Sequence, residues 1–80
     1  PRLERAGWYT ERNGERVYLF TPAAIKEAGG NYDAKRVLDA LDAAGWIVER
    51  DYGERSKKTA ITGGGKPRLY WVLPSGVDHA

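Results

Sequence analysis

Positively charged side chains gather in one short stretch of this 80-residue chain. Residues 53–68 hold five cations and one acid, a net charge of +4, whereas the whole chain carries +2. A local basic stretch is typical of a surface that binds phosphate groups. It is equally typical of a solvated hairpin whose lysines keep an exposed strand edge from pairing with other chains. The five cations are Arg55, Lys57, Lys58, Lys66 and Arg68.

Other chemistries lack the residues that they require. The chain has no cysteine and a single histidine, His79, so we expect no metal site and no histidine-based catalysis. Gly65-Lys66 resembles the end of a nucleotide-binding phosphate loop, but Pro67 stands where that loop needs a hydroxyl for magnesium. The acidic residues form no pattern that indicates an active site. The sequence therefore predicts a non-enzymatic domain with no cofactor and no small-molecule substrate.

The first half of the chain predicts a hairpin followed by two helices. Residues 8–10 and 16–20 are rich in strand-forming types around Asn13-Gly14, a pair suited to a tight type I′ turn. Thr21-Pro22 favours a helix start, and that helix should run to about Ala28. A second helix should begin after Asp33, bury one apolar stripe and stop at Gly45.

The second half predicts strands at 46–50, 57–62 and 68–73, with a turn at 51–53 and a glycine-rich loop at 63–67. We call residues 57–73 the C-terminal hairpin. Two helices followed by such a hairpin is the winged-helix order, and the basic stretch falls on the wing. We therefore expect an α+β, winged-helix-like domain with an N-terminal β-hairpin, two or three helices and a C-terminal β-hairpin wing.

The expected function is DNA binding through the wing and the start of the second helix. Glycines at the tip would let backbone N–H groups approach a phosphate closely. Asp39 and Asp42, further along the second helix, would repel phosphate, and Lys35 could instead form an ordinary surface pair with Asp39. The predicted contacts are Asn31, Tyr32, Lys35, Arg36, Arg55, Lys57, Lys58, Lys66 and Arg68.

Aromatic residues leave a second interpretation open. Three Trp, five Tyr and one Phe should supply much of so small a core, with Tyr52 or Tyr70 the best candidates to stack on an unpaired base. An exposed patch around Trp8, Tyr9 and Trp71 would instead favour docking to another protein or to another part of the same protein. Cations that are scattered around the molecule, or that are paired with the chain's own acids, would remove the basis for a nucleic-acid role.

The ordered segments also resemble a known family. Gly7-Trp8, residues 17–22, 32–37 and 41–46, and then residues 65–72 resemble the C-terminal segment of phage- and mobile-element-type primase–helicase proteins of an uncharacterised family. The resemblance covers roughly residues 5–73. It implies a DNA-replication role in a domain attached to an ATP-driven helicase, with basic positions at Lys35, Arg36, Lys66 and Arg68.

The predicted helices and strands indicate one domain over residues 1–74 and a flexible tail over 75–80. A start at Pro1 suggests a fragment of a longer protein. No apolar run is long enough for a membrane span or a signal peptide, and the lack of cysteine fits a cytoplasmic protein.

Overall fold

The protein is a small α+β domain in which two helices pack on an antiparallel sheet. The computed structural model describes residues 2–4, 7–61 and 63–74. The expected tail at 75–80 lies outside the described residues, as does Thr62 in the predicted strand 57–62. The described elements are β1 (Arg2–Glu4), β2 (Gly7–Arg12), β3 (Glu15–Phe20), α1 (Pro22–Ala28), α2 (Ala34–Ala43), β4 (Ile47–Glu49), β5 (Lys57–Lys58) and β6 (Arg68–Val72).

Strand β6 is the centre of the sheet. The strand order is β1-β2-β3-β6-β4, and β5 also pairs with β6. On one side β6 pairs antiparallel with β3, opposing Leu19 to Trp71. On the other side its C-terminal half pairs with β4 and its N-terminal half with β5. The last strand in sequence therefore joins the N-terminal hairpin to the elements that follow the helices.

The predicted hairpin and helix boundaries are confirmed. Asn13 and Gly14 both have positive φ, +54° and +83°, as a type I′ turn requires, and they connect β2 to β3. The Thr21 hydroxyl accepts a hydrogen bond from Ala24 N at 3.0 Å, which caps α1. The Asp33 carboxylate likewise accepts from Arg36 N at 2.9 Å and caps α2.

The end of α2 directs the chain back into the sheet. Gly45 N donates to Asp42 O and Trp46 N donates to Leu41 O, both at 3.0 Å. This pair of bonds is a Schellman motif, in which the residue after the helix cap takes a positive φ, here +78° at Gly45. Leu73 N then donates to Trp46 O at 2.9 Å, so the chain leaves the helix already held against the end of β6.

Each face of the sheet carries its own core. On one face Ile25 from α1, Leu38 from α2 and Ile47 from β4 are buried together with Phe20 and Tyr70 packed against them. On the other face Val17, Leu19 and Leu69 are at most 1% exposed. Partly buried side chains from the strands and from the C-terminal hairpin cover that second cluster: Trp8, Val48, Ile61, Trp71 and Leu73.

Aromatic side chains contribute to both cores, as expected, although they surround the buried centres, and the expected length of one strand was wrong. The buried centre is aliphatic, whereas Trp8, Phe20 and Trp71 are only half-buried, because large rings rarely fit entirely inside so small a domain. The strand expected at 57–62 is limited to Lys57–Lys58. Beyond Lys58 the two arms of the hairpin stay joined by hydrogen bonds from Thr59 N to Pro67 O at 2.9 Å and from Ile61 N to Gly65 O at 3.4 Å, but they form no regular strand.

Gly29 allows α1 and α2 to approach closely. A Cβ atom at this position would lie 2.6 Å from Val37 Cγ2 and 3.1 Å from Tyr32 O. We predict that Gly29→Ala lowers the free energy of unfolding by about 1–3 kcal/mol, the usual range for overpacking. Urea unfolding checks this, and Gly29→Ala combined with Val37→Ala should lose less than the sum of the two single losses. Additive losses would place the strain elsewhere.

Candidate nucleic-acid interface

The predicted contact residues lie in two places that a loop connects. Asn31 and Tyr32 lie in the turn before α2, and Lys35 and Arg36 lie in its first helical turn. The remaining cations belong to the C-terminal hairpin, apart from Arg55, which lies in the loop over residues 51–56. We call this segment the β4–β5 loop. The contacts of this loop determine whether the start of α2 and the C-terminal hairpin are linked.

The start of α2 presents polar and aromatic groups to solvent. The Tyr32 side chain is 62% exposed, and the Arg36 guanidinium lies 5.5 Å from the centre of its ring. Asn31 is exposed as well. Lys35 Nζ lies 3.1 Å from Asp39 Oδ2 with the lysine side chain 81% exposed, which is an ordinary surface pair worth a few tenths of a kcal/mol. The alternative expectation for Lys35 is thus confirmed.

The acids of α2 bind the arginines of the β4–β5 loop region. Arg55 Nη1 lies 2.7 Å from Asp39 Oδ1, and Arg55 Nε lies 3.1 Å from Asp42 Oδ2. Arg50 reaches the same Asp42 carboxylate with Nη2 at 2.6 Å and Nη1 at 3.4 Å. We call Asp39, Asp42, Arg50 and Arg55 the arginine–aspartate cluster. It fixes the loop against the helix, and the two acids that were expected to repel phosphate are neutralised.

The cluster shifts the pKa values of its acids. Hydrogen bonds from Arg55 and then from Lys35 lower the pKa of Asp39 below its ordinary 3.8. A hydrogen bond from Arg50, aided by the charges of Arg50 and Arg55, lowers the pKa of Asp42 in the same way. Both carboxylates therefore remain ionised throughout the neutral range, and the cluster stays intact there.

A second acid links the β4–β5 loop to the C-terminal hairpin. Asp51 Oδ2 accepts from Arg68 Nη1 and from the backbone N of Lys58, both at 3.1 Å. The buried Ser56 hydroxyl accepts a longer bond, 3.4 Å, from Arg68. The loop therefore contacts α2 through Arg55 and the hairpin through Asp51, and so links the two places.

Lys57 belongs to a third group of contacts. Its Nζ lies 3.4 Å from Glu49 Oε1 and 5.6 Å from the centre of the Trp71 ring. Arg12 binds the other Glu49 oxygen at 3.0 Å. Trp71 Nε1 in turn donates to the Thr59 hydroxyl at 2.9 Å. These bonds anchor the base of the hairpin to the sheet and hold Lys57 away from the tip.

Two lysines of the hairpin are without such partners. The side chains of Lys58 and Lys66 are exposed, and within the part of the chain that the structure describes neither forms an ion pair or a side-chain hydrogen bond. Between them lie Gly63, Gly64 and Gly65, all exposed and all with positive φ. A Cβ at any of the three would meet nothing within 4 Å, so the tip is open to a ligand.

The basic stretch therefore carries less free charge than its composition suggests. Of its five cations, Arg55, Lys57 and Arg68 are paired with acids from outside the stretch. All of these pairs are partly exposed, and exposed pairs typically contribute at most about 1 kcal/mol, so a phosphate can compete for their cations. The unpaired positive charge of the stretch therefore rests on two exposed side chains, Lys58 in β5 and Lys66 beside the glycine tip.

The charge pattern along the sequence did not single out Arg50 or Arg12. Arg50 is eight residues from Asp42 and Arg12 is 37 residues from Glu49, so no local spacing rule connects either pair. Trp8, Tyr9 and Trp71, whose exposure would have favoured docking to another protein, are half-buried. Trp8 and Trp71 pack against the second core cluster, and the Arg16 guanidinium lies 4.0 Å from the centre of the Tyr9 ring.

The described residues contain no group of three or more His, Cys, Asp or Glu side chains suited to a metal ion. None of the described helices is long and apolar enough to cross a lipid bilayer. No protein-family model, no curated protein and no solved structure matches this chain significantly.

The arginine–aspartate cluster should make stability depend on acid pH. Because the folded-state pKa of Asp42 is lowered, its contribution is complete above the ordinary value of 3.8 and is lost as pH falls below it. We predict that Asp42→Asn is less stable than the wild type near neutral pH and loses less stability between about pH 4 and pH 2. Thermal unfolding at several pH values checks this.

Glu27→Gln is the matched control for that experiment. Glu27 is an exposed acid of α1 with no ion pair among the described residues. Its removal should leave the stability at neutral pH and the slope below pH 4 close to those of the wild type. If Asp42→Asn behaves in the same way as Glu27→Gln, the cluster does not stabilise the fold.

Proposed function

We propose that this chain is a non-catalytic, winged-helix-type DNA-binding domain that contacts phosphates through the C-terminal hairpin, as its wing, and through the start of α2. The observation that carries the proposal is the open tip at Gly63–Gly65, flanked by the exposed, unpaired Lys58 and Lys66. Glycine backbones admit a phosphate to close range, and the lysines supply the charge that attracts it.

The topology around β6 supports the winged-helix interpretation. Strand β3 is followed by two helices and then by β4. The final strand, β6, inserts between β3 and β4 in the sheet, which is the arrangement expected for such a domain. The C-terminal hairpin then takes the position of the wing. The β4–β5 loop joins this segment to α2 through the arginine–aspartate cluster and Asp51, so a ligand on the wing would also lie near the helix.

The biological setting follows from the resemblance alone. We propose that the domain is part of a replication protein of the primase–helicase type from a phage or mobile element. There it would hold a motor domain on DNA in the cytoplasm. A modest net charge of +2 suits this accessory role, because affinity would be shared with the rest of the protein.

Salt dependence of DNA binding tests the tip as the contact. We predict that Lys58→Ala and Lys66→Ala each reduce the slope of log K against log salt by roughly 0.7–0.9, the release expected for one phosphate contact. The double variant should show the sum of the two reductions in slope. Fluorescence anisotropy with labelled single-stranded and duplex oligonucleotides at several salt concentrations provides the measurement.

Lys26→Ala is the control, because Lys26 is an exposed lysine of α1 without an ion pair in the described residues. It removes the same charge at a place remote in sequence from the hairpin, so the slope should stay at the wild-type value. Equal slopes for all three single variants would reject the hairpin tip as the phosphate contact. Absence of binding to any oligonucleotide would reject the DNA proposal itself.

A second candidate function, docking to another part of the same protein, is favoured by an apolar groove. The groove, about 330 Å³, lies between the helices and the sheet, with Phe20, Ala28, Leu41 and Trp46 among its walls. A neighbouring cleft shares Ala28, Val37 and Leu41 and extends along α2 to Ala40 and Tyr32. Together they form an apolar surface of the kind that marks protein contacts.

Two neutral substitutions on α2 distinguish this candidate. Ala40→Gln places a polar side chain in the cleft, whereas Ala43→Gln, also exposed and on the same helix, is not among the cleft residues. If docking is the function, calorimetric titration against the remainder of the parent protein should show weaker binding for Ala40→Gln alone. Equal binding by both variants would contradict docking at this surface.

A further inference from the structure

A tyrosine stands fully exposed at the apex of the β4–β5 loop. Tyr52 has 104% of its reference exposure. Single exposed apolar residues are common and need no explanation by themselves. Tyr52 differs because the loop that carries it is anchored at both ends and because the residues that follow it, Gly53 to Ser56, line a groove.

Hydrogen bonds fix the backbone of this loop. Asp51 N donates to Ser56 O at 2.9 Å, and Glu54 N donates to Asp51 O at 3.0 Å. Gly53, directly after the tyrosine, takes a φ of +77° and completes the turn. Arg55 and Asp51 then tie the loop to α2 and to the hairpin. Because the backbone of the loop is already ordered, a ligand that covers the Tyr52 ring restricts only the side chain, which favours binding.

The groove next to the loop apex is lined by both apolar and polar side chains. It measures about 500 Å³, within the range of small-ligand sites, and lies between α2, the β4–β5 loop and β6. Leu38 and Tyr70 contribute apolar surface, while Arg50, Arg55 and Ser56 contribute hydrogen-bonding groups. A flat base with an attached sugar and phosphate presents the same combination of an apolar face and a polar edge.

The groove lining has a free donor but little net charge. Arg55 uses Nε and Nη1 on the two aspartates, and its Nη2 donates no hydrogen bond among the described residues. Arg50 is held by Asp42, and Glu54 adds a further acid to the lining. Two arginines against three acids cannot attract a phosphate strongly over distance. Affinity at this place must therefore come mainly from stacking and directed hydrogen bonds.

We infer that the β4–β5 loop and its groove form a subsite for one unpaired nucleotide of single-stranded DNA, with its base stacked on Tyr52 and its phosphate near Arg55. The inference rests on the proposed DNA-binding function and names the strand type that it takes. Bases within a duplex are covered by their neighbours, so a ring at a loop apex reaches a base only where the strand is unpaired.

Substitutions at position 52 separate stacking from simple contact. We expect Tyr52→Phe to bind oligothymidylate of about 12 nucleotides as the wild type does, because it keeps the aromatic face. Tyr52→Leu keeps an apolar side chain without that face and should bind at least about fivefold more weakly, the lower end of what a stacked base contributes. Because Tyr52 is fully exposed, circular dichroism should show both variants folded.

Salt and ligand controls make the outcome specific. Tyr52→Leu should leave the salt slope unchanged, since it removes no phosphate contact, whereas Lys58→Ala and Lys66→Ala should lower the slope. On an abasic strand of the same length, Tyr52→Leu and the wild type should bind alike. Fluorescence anisotropy measures all of these quantities.

Three results would overturn the inference. In the first, Tyr52→Leu binds oligothymidylate as tightly as the wild type while the lysine variants show a reduced slope of log K against log salt. This result would reject the subsite and leave the DNA-binding proposal standing. A fivefold loss that is just as large on the abasic strand or on a duplex would show that no unpaired base is held there. A failure of the wild type to bind any oligonucleotide would overturn the subsite and the proposed function together.

Discussion

The pairing of β6 on both edges and its burial on both faces is the constraint on which the rest of the structure depends. Leu69 faces the cluster formed with Val17 and Leu19, whereas Val72 lines the apolar groove beside the helices and is 3% exposed. Because side chains alternate along a strand, one five-residue segment can contribute to two cores. The helices, the N-terminal hairpin and the C-terminal hairpin all take their relative positions from this strand.

Charge pairing then determines what the surface offers to a ligand. Asp39, Asp42 and Asp51 each hold an arginine of the β4–β5 loop or the hairpin, so they act as internal anchors as well as solvated acids. Each pair is individually weak, yet several of them converge on one short loop and share carboxylates, which restricts its motion more than isolated pairs would. Within the basic stretch, only the side chains of Lys58, in β5, and Lys66, beside the glycine tip, remain without an ion pair among the described residues.

Local signals predicted the local structure and could not predict the rest. Thr21, Asp33, Asn13-Gly14 and Gly45 fix caps and turns by their own chemistry, so those boundaries follow from the sequence. The pairing of Arg50 and Arg55 with α2 depends on how the chain returns past the helix, which no spacing rule describes. The strand Arg2–Glu4 was missed because three residues with a single apolar side chain give no periodic signal, and its pairing with β2 is what defines it.

The central position of β6 also governs the order in which the molecule can assemble. The β2–β3 hairpin and the two capped helices contain mostly short-range contacts, which close quickly and at a small entropy cost. Strands β3 and β4 are not neighbours in the sheet, and β6 has to insert between them. Both cores therefore stay open until a segment some 50 residues away from β3 arrives, and this long-range closure should limit the folding rate.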